Sequence, residues 1–330
     1  MEKFVENIIK ACRRLHDLCP IGFSIPDSSV VIDTDSASRM LLEILEDDKP
    51  CMVARYGSTE LLNIVNYIGV KKRCHNVWDV ITRKSPQWWW NKISVEQLKV
   101  NSGFFPITKD KVVEFCEMML NDSHEIDILA RWRPDEYYMA GYLKDDVKSI
   151  HLFALEPWWA NKPWTKALKG KKVLVVHPFA RLITQQYSGK RPLLFDNKDV
   201  LPEFHLETVQ AVQSLGGDNS DFSDWFEALQ WMKDEIDKHD YDICLIGCGA
   251  YGMPLAAHCK RKGKKAVHMG GALQLLFGIK GNRWEDPMYG VKEWGLAEGQ
   301  YVKLFNEHWI KPDNSVKPKS ADKVEGSCYW

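Results

Sequence analysis

Hydrophobic and polar positions along this chain alternate between helical period and short unbroken runs. Phe4, Ile8, Cys12 and Leu15 recur at helical spacing and predict a helix over residues 2–17, ended by Pro20. Met40, Leu41 and Leu45 predict a second helix from about Ser36 to Leu45. Met52 to Ala54 then reads as a short buried strand. Gly57 turns the chain, and Ser58 or Thr59 is expected to cap a helix with an apolar face of Leu61, Leu62, Ile64, Val65 and Ile68. Residues 70–165 are aromatic-rich and less regular. They hold helices around Val95–Val100 and Val112–Leu120, and strands at Ile126–Ala130 and Ile150–Leu155.

From Gly170 the alternation becomes regular. Lys172–Val176 predicts a strand that delivers His177 to a turn, and Ala180–Tyr187 a helix that gives way to a connection at Lys190-Arg191-Pro192. Phe204–Val212 follows as a strand, and Asp221–Asp224 opens a helix whose apolar face is Trp225, Phe226, Leu229, Met232 and Ile236. Ile243–Ile246 lacks polar alternation, as a strand covered on both faces does. Gly247, Gly249 and Gly252 spell G-x-G-x-x-G, Pro254 suits a first helical turn, and Gly263 closes the helix after Lys260-Arg261-Lys262. Lys265–Met269 is the next strand, ending at Gly270 and Gly271, and a helix over Ala272–Phe277 follows. Strand–helix alternation at this spacing predicts an α/β fold: a Rossmann-like parallel sheet flanked by helices, with an aromatic-rich insertion. The expected division is N-terminal helices over 1–50, the α/β domain over 51–311 with its insertion at about 70–165, and a loose tail over 312–330.

The glycine turn aims backbone N–H groups and a helix start at an anion. A dinucleotide site also needs an acid about 20 residues further on. His268 stands there instead, so the pattern reads as a phosphate or nucleotide cradle rather than an NAD site. The bland alternative is close helix–strand packing. Arg55-Tyr56-Gly57-Ser58-Thr59-Glu60 brings an arginine, a hydroxyl and a carboxylate to a strand end, although Glu60 in a first turn also simply favours the helix dipole. Glu156 and His177 sit at other strand ends. Glu156 is a candidate acid, base or metal ligand, or a structural carboxylate among tryptophans; His177 is a candidate base or a satisfied turn residue. His124, Glu125 and Asp127 lack metalloprotease spacing.

Composition narrows the field. The chain has 330 residues, 45% apolar, with a net charge of −1. That balance argues against broad nucleic-acid or anionic-membrane binding and leaves only local basic patches. Nine cysteines without C-x-x-C pairs suggest reduced thiols and a cytoplasmic protein. No signal peptide and no transmembrane segment is visible. Fourteen tryptophans leave room for exposed indoles as sugar-ring surface.

The stretches Arg55–Glu60 and Gly247–Gly252 resemble those of a bacterial surface-polysaccharide-cluster family. The resemblance extends over His177-Pro178-Phe179, Gln185-Gln186-Tyr187, Asp224–Leu229, Gly270-Gly271-Ala272, Gln274–Gly281 and Arg283-Trp284. More distantly the chain is similar to glycosyltransferases of the GT-D fold, which carry R-[FY]-G-D-G-E and hold a divalent metal through its D-x-E carboxylates. Arg55, Tyr56, Gly57 and Glu60 match that motif, while Ser58 replaces the aspartate. The resemblance implies a glycosyltransferase that uses a nucleoside-diphosphate sugar donor and a glycan or lipid-linked sugar acceptor. Glu60, Glu156 or His177 would be its catalytic groups. Arg55, Gly57, Ser58, Gly247, Gly249, Tyr251, Gly252, His268, Gly270, Gly271, Lys280 and Arg283 would form its donor site. Glu60 would be the remaining ligand of Mn²⁺ or Mg²⁺, and a homo-oligomer is compatible with all of this. The rival expectations are an NAD-type enzyme and a nucleotide- or glycan-binding assembly protein without catalysis, which Ser58 would favour.

Overall fold

A computed structural model describes residues 3–18, 30–214, 221–313 and 328–330. Seven strands form one parallel sheet: β1 (Met52–Ala54), β2 (Ile128–Arg131), β3 (Lys148–His151), β4 (Lys172–His177), β5 (His205–Gln210), β6 (Ile243–Ile246) and β7 (Lys265–His268), in the spatial order β3-β2-β1-β7-β6-β4-β5. The expected Rossmann-like architecture is present.

Strand residues alternate between two cores, which is why their sequences read as continuous apolar runs. Met52, Ala54, Cys244 and Ile246 enter one core, and Val53, Ile243, Leu245 and Val267 enter the other. The first core packs α3 (Ser58–Lys71), α6 (Lys109–Ser123), α8 (Trp225–Ile236) and α9 (Gly252–Arg261) on the sheet. The second packs α2 (Thr34–Glu46), α7 (Ala180–Leu194) and α10 (Leu273–Leu276) on the opposite face. Outside these layers, α1 (Lys3–Leu18) rests on α4 (Val77–Ile81), and α5 (Lys92–Ser102) packs against α3.

Several expectations shift. Residues 70–165 are more than an insertion, because β2 and β3 are strands of the central sheet. The strand expected at Ile150–Leu155 ends at His151, and a 3₁₀ turn over Leu152–Leu155 precedes Glu156. The connection expected from Lys190 is helical, since α7 runs through Pro192 to Leu194. Most of the expected loose tail lies outside the described residues, but Cys328–Trp330 is packed: Cys328 and Trp330 are each 5% exposed.

The connection leaving β6 runs toward β7 and the one leaving β4 runs toward β5. The chain therefore parts between these adjacent strands, and an open parallel sheet forms its ligand crevice at such a point, beyond the carboxyl ends of the strands.

Candidate functional site

A cleft of about 140 Å³ lies at that point. Residues at or just after the ends of β1 (Arg55, Gly57, Ser58, Thr59, Glu60), β4 (His177, Pro178, Phe179), β6 (Gly247, Cys248, Gly249, Tyr251) and β7 (Gly270, Gly271) line it. Trp132 enters from the end of β2, Asn101 and Ser102 from α5, and Arg283, Tyr329 and Trp330 close the side. Two stretches about 190 residues apart in sequence, Arg55–Glu60 and Gly247–Tyr251, thus share one cavity, together with His177.

The three glycines of the G-x-G-x-x-G run do different work. A Cβ on Gly247 would lie 2.7 Å from the Gly270 carbonyl oxygen and 2.8 Å from the His177 ring, so this glycine allows the turns after β4, β6 and β7 to touch. Gly249 has φ +60° and faces open space at the cavity. A Cβ on Gly252 would overlap the His268 imidazole. Gly252 and His268 pack against each other beneath the cavity.

Away from the cleft, the starts of α2, α4, α5, α6 and α8 are each capped by a side chain: Asp33, Asn76, Asn91, Thr108 and Asp224. The short helices Asn282–Glu285 and Val291–Trp294 lack one. At the cleft, α3 starts at Gly57 and α7 at Phe179 with no side-chain cap. The 3₁₀ turns leading into α9 and α10, at Gly249–Tyr251 and Gly270–Ala272, also lack one. The cap expected from Ser58 or Thr59 is therefore absent; Ser58 is already the first helical residue. First-turn N–H groups carry partial positive charge and need acceptors. Their convergence makes the cleft favourable to an anion.

Arg55 and Arg283 add formal positive charge. The Arg55 guanidinium lies 5.5 Å from the Trp132 ring centroid, and its Nε is buried with no hydrogen-bond partner among the described residues. Trp132 is fixed by donating from Nε1 to the Tyr56 carbonyl oxygen at 2.9 Å. Arg283 lies 4.9 Å from the ring centroid of Tyr329. The Ser102 hydroxyl, on a residue only 3% exposed, also has no partner among the described residues. Buried polar groups are nearly always paired, so orphan donors lining a cleft mark where a ligand would bond.

Glu60 is largely buried, and its carboxylate lies over Gly57 so closely that a Cβ there would overlap it. His177 accepts a hydrogen bond at Nδ1 from the Phe179 N–H at 2.9 Å. Burial pushes its pKa down to about 3, so the ring is neutral and carries its proton on Nε2. That state suits a hydrogen-bond donor rather than a base.

Other expected site residues fall elsewhere. Glu156 lines a smaller adjoining cavity of about 40 Å³, bounded by Arg55, Gly271, Arg283 and Tyr329, which also line the main cleft. Its Oε2 accepts hydrogen bonds from Trp159 Nε1 and the Tyr301 hydroxyl, both at 2.8 Å, and burial raises its pKa to about 8. Lys280 pairs with Glu285 at 3.5 Å outside the cleft lining. His268 is buried beneath the floor, with its pKa lowered to about 3 by burial and by Arg55.

A divalent ion needs oxygen donors, chiefly carboxylates. Glu60 is the single side-chain carboxylate among the described residues lining the cleft, and no cluster of three or more His, Cys, Asp or Glu side chains suited to a metal occurs among the described residues. The described residues alone do not build a metal cage there.

The sequence reading assigned no role to Trp132, Ser102, Tyr329 or Trp330. Trp132 carried a usable signal, an aromatic between two arginines just after a strand. Tyr329 and Trp330 carried another, two aromatics ending a polar tail.

No family model and no curated protein matches the chain. Among solved structures, one titled "Selenomethionine substituted structure of domain of unknown function 1792 (DUF1792)" aligns over 93% of this chain and 95% of that one, at 12% identity and a TM-score of 0.40. So loose a likeness carries no functional argument. No described helix is long and apolar enough to cross a membrane.

Proposed function

We propose that the chain is a glycosyltransferase that takes a nucleoside-diphosphate sugar and transfers its sugar to a hydroxyl of a glycan or lipid-linked acceptor. The observation that supports this most is the convergence of uncapped helix starts with Arg55 and Arg283 on one aromatic-walled cleft. A diphosphate needs the positive ends; a base or sugar ring needs the walls.

In this reading Arg55, Arg283 and the N–H groups around Gly249 and Gly271 hold the diphosphate and neutralise the charge that develops as it leaves. Trp132, Tyr329 and Trp330 offer ring surface. His177 donates from Nε2 to a phosphate or sugar oxygen. Glu60 accepts the proton of the attacking hydroxyl if the reaction inverts configuration. If Mn²⁺ or Mg²⁺ came in on the diphosphate, Glu60 would be the residue to hold it, in place of its role as base, and the ion would add positive charge.

The test is release of nucleoside diphosphate from a panel of UDP-, GDP- and dTDP-sugars in the presence of candidate acceptors. One donor is expected to turn over, and Glu60→Gln is expected to suppress turnover while leaving donor binding. Donor binding without turnover across the acceptor panel would favour the assembly-protein reading instead.

A further inference from the structure

One helix carries an apolar face that is exposed among the described residues. Along α1, Phe4, Ile8, Ala11, Leu15 and Leu18 follow one another at spacings of four and three and so form a single stripe, and all of them are exposed. Phe4 is 70% exposed, Leu15 66% and Leu18 80%. The helix is held from its other side, where Ile9 is buried with Val80 and Trp89. Next to it, α4 exposes Val77 and Trp78.

The charges beside the stripe have one sign. Lys3, Lys10 and Arg14 share a row on the helix, and Arg14 neighbours Ala11 and Leu18 by spacing. The acids of α1 are engaged: Glu6 pairs with Lys10 and Asp17 with Arg83. Lys3 and Arg14 form no ion pair among the described residues. A basic row bordering a phenylalanine- and leucine-rich stripe is the pattern of a helix lying in the plane of an anionic bilayer surface. In an antiparallel self-associated pair of such helices the basic rows would face one another.

We propose that α1 docks this protein on an anionic lipid surface, its apolar stripe sunk among the headgroups and Lys3 and Arg14 on the lipid phosphates. The whole-chain charge of −1 gives no general attraction, so the local row supplies it. The docking is independent of the donor site and would hold the cleft near an acceptor carried on a lipid.

Co-sedimentation of the full chain with vesicles tests this, using phosphatidylglycerol mixed with phosphatidylcholine against phosphatidylcholine alone, without any nucleotide. Binding is expected to the mixed vesicles, to weaken with salt, and to fall roughly tenfold or more in the double variant Phe4→Glu, Leu15→Glu. Lys3→Glu with Arg14→Glu is expected to remove the preference for anionic lipid. Both variants change exposed residues, and circular dichroism and melting checks that they fold. Failure to sediment with either vesicle would overturn the proposal. So would a wild-type dimer in solution that Phe4→Glu with Leu15→Glu converts to monomer without any effect on vesicles, because the stripe would then serve a second copy of the chain.

Discussion

The Glu60 carboxylate occupies the space a side chain at residue 57 would need. Gly57 has φ −69° and ψ 147°, a conformation open to any residue, so its glycine is required for room and not for backbone shape. Gly57→Ala is therefore expected to leave the fold intact and displace the carboxylate. Turnover should fall by about tenfold or more, as catalytic groups shifted by an ångström commonly lose, with little change in melting temperature. A steady-state assay beside a thermal melt separates the two effects.

Gly252→Ala should act on stability instead. The residue is helical, where alanine is ordinarily better than glycine by about 1 kcal/mol. Here the new methyl would run into the buried His268 ring. Overpacking of this kind costs about 1–3 kcal/mol, so the net change in a denaturant titration should be destabilising despite the helix preference.

The pH dependence of stability follows from two kinds of buried group. Glu156 has its pKa raised to about 8 by burial. Its contribution is complete below the ordinary carboxylate pKa and is lost as pH rises toward 8. His177 and His268 are lowered to about 3, so their contribution is present above the ordinary imidazole pKa and is lost as pH falls toward 3. Glu156→Gln keeps an acceptor for Trp159 and Tyr301 while removing the titration. Unfolding free energy of this variant should decline less between pH 5 and 8 than that of the wild type, whose slope from this one group is at most about 1.4 kcal/mol per pH unit. An unchanged slope would show that Glu156 is not the group responsible.

Tyr329 is expected to support binding by holding Arg283. The guanidinium lies over its ring, and Gly271 leaves the room that the ring fills. A cation–π contact of this kind contributes about 0.5–2 kcal/mol. Tyr329→Ala should weaken nucleotide affinity by roughly 3- to 30-fold, and Tyr329→Phe should restore it, as calorimetric titration would show.

Much of this arrangement was legible where the chemistry is local. The apolar run Ile243–Ile246 with its glycine turn was readable as a strand–turn–helix unit, because a both-faces-buried strand and a glycine at positive φ each leave a signature within a few residues. The use of Gly252 was not, since its reason is His268 on a neighbouring strand. Ser58 looked like a cap because serine is a frequent one, yet the turn places it inside the helix and leaves Gly57 at the start. Glu156 looked like a strand-end residue because Ile150–Leu155 is apolar apart from His151; the last part of that run coils into a 3₁₀ turn and points the carboxyl into the smaller cavity. Tyr329 and Trp330 reach the cleft from the far end of the sequence through Arg283 N–H, which donates to the Cys328 carbonyl oxygen at 3.0 Å. No local pattern reveals a contact of that kind.

In the proposed function, Arg55 and the surrounding helix starts hold a nucleoside diphosphate. Thermal-shift titration of wild type and Arg55→Ala with UDP-, GDP-, CMP- and dTDP-sugars and NAD, each with and without Mn²⁺, tests it most directly, because a ligand that binds the folded state raises the melting temperature by mass action. A shift is expected with one nucleoside-diphosphate sugar, present even without Mn²⁺, and an affinity roughly 10- to 100-fold weaker in Arg55→Ala, the range expected for losing a charged hydrogen-bond donor. A shift with NAD alone, or a sugar-nucleotide shift of equal size in Arg55→Ala, would contradict it.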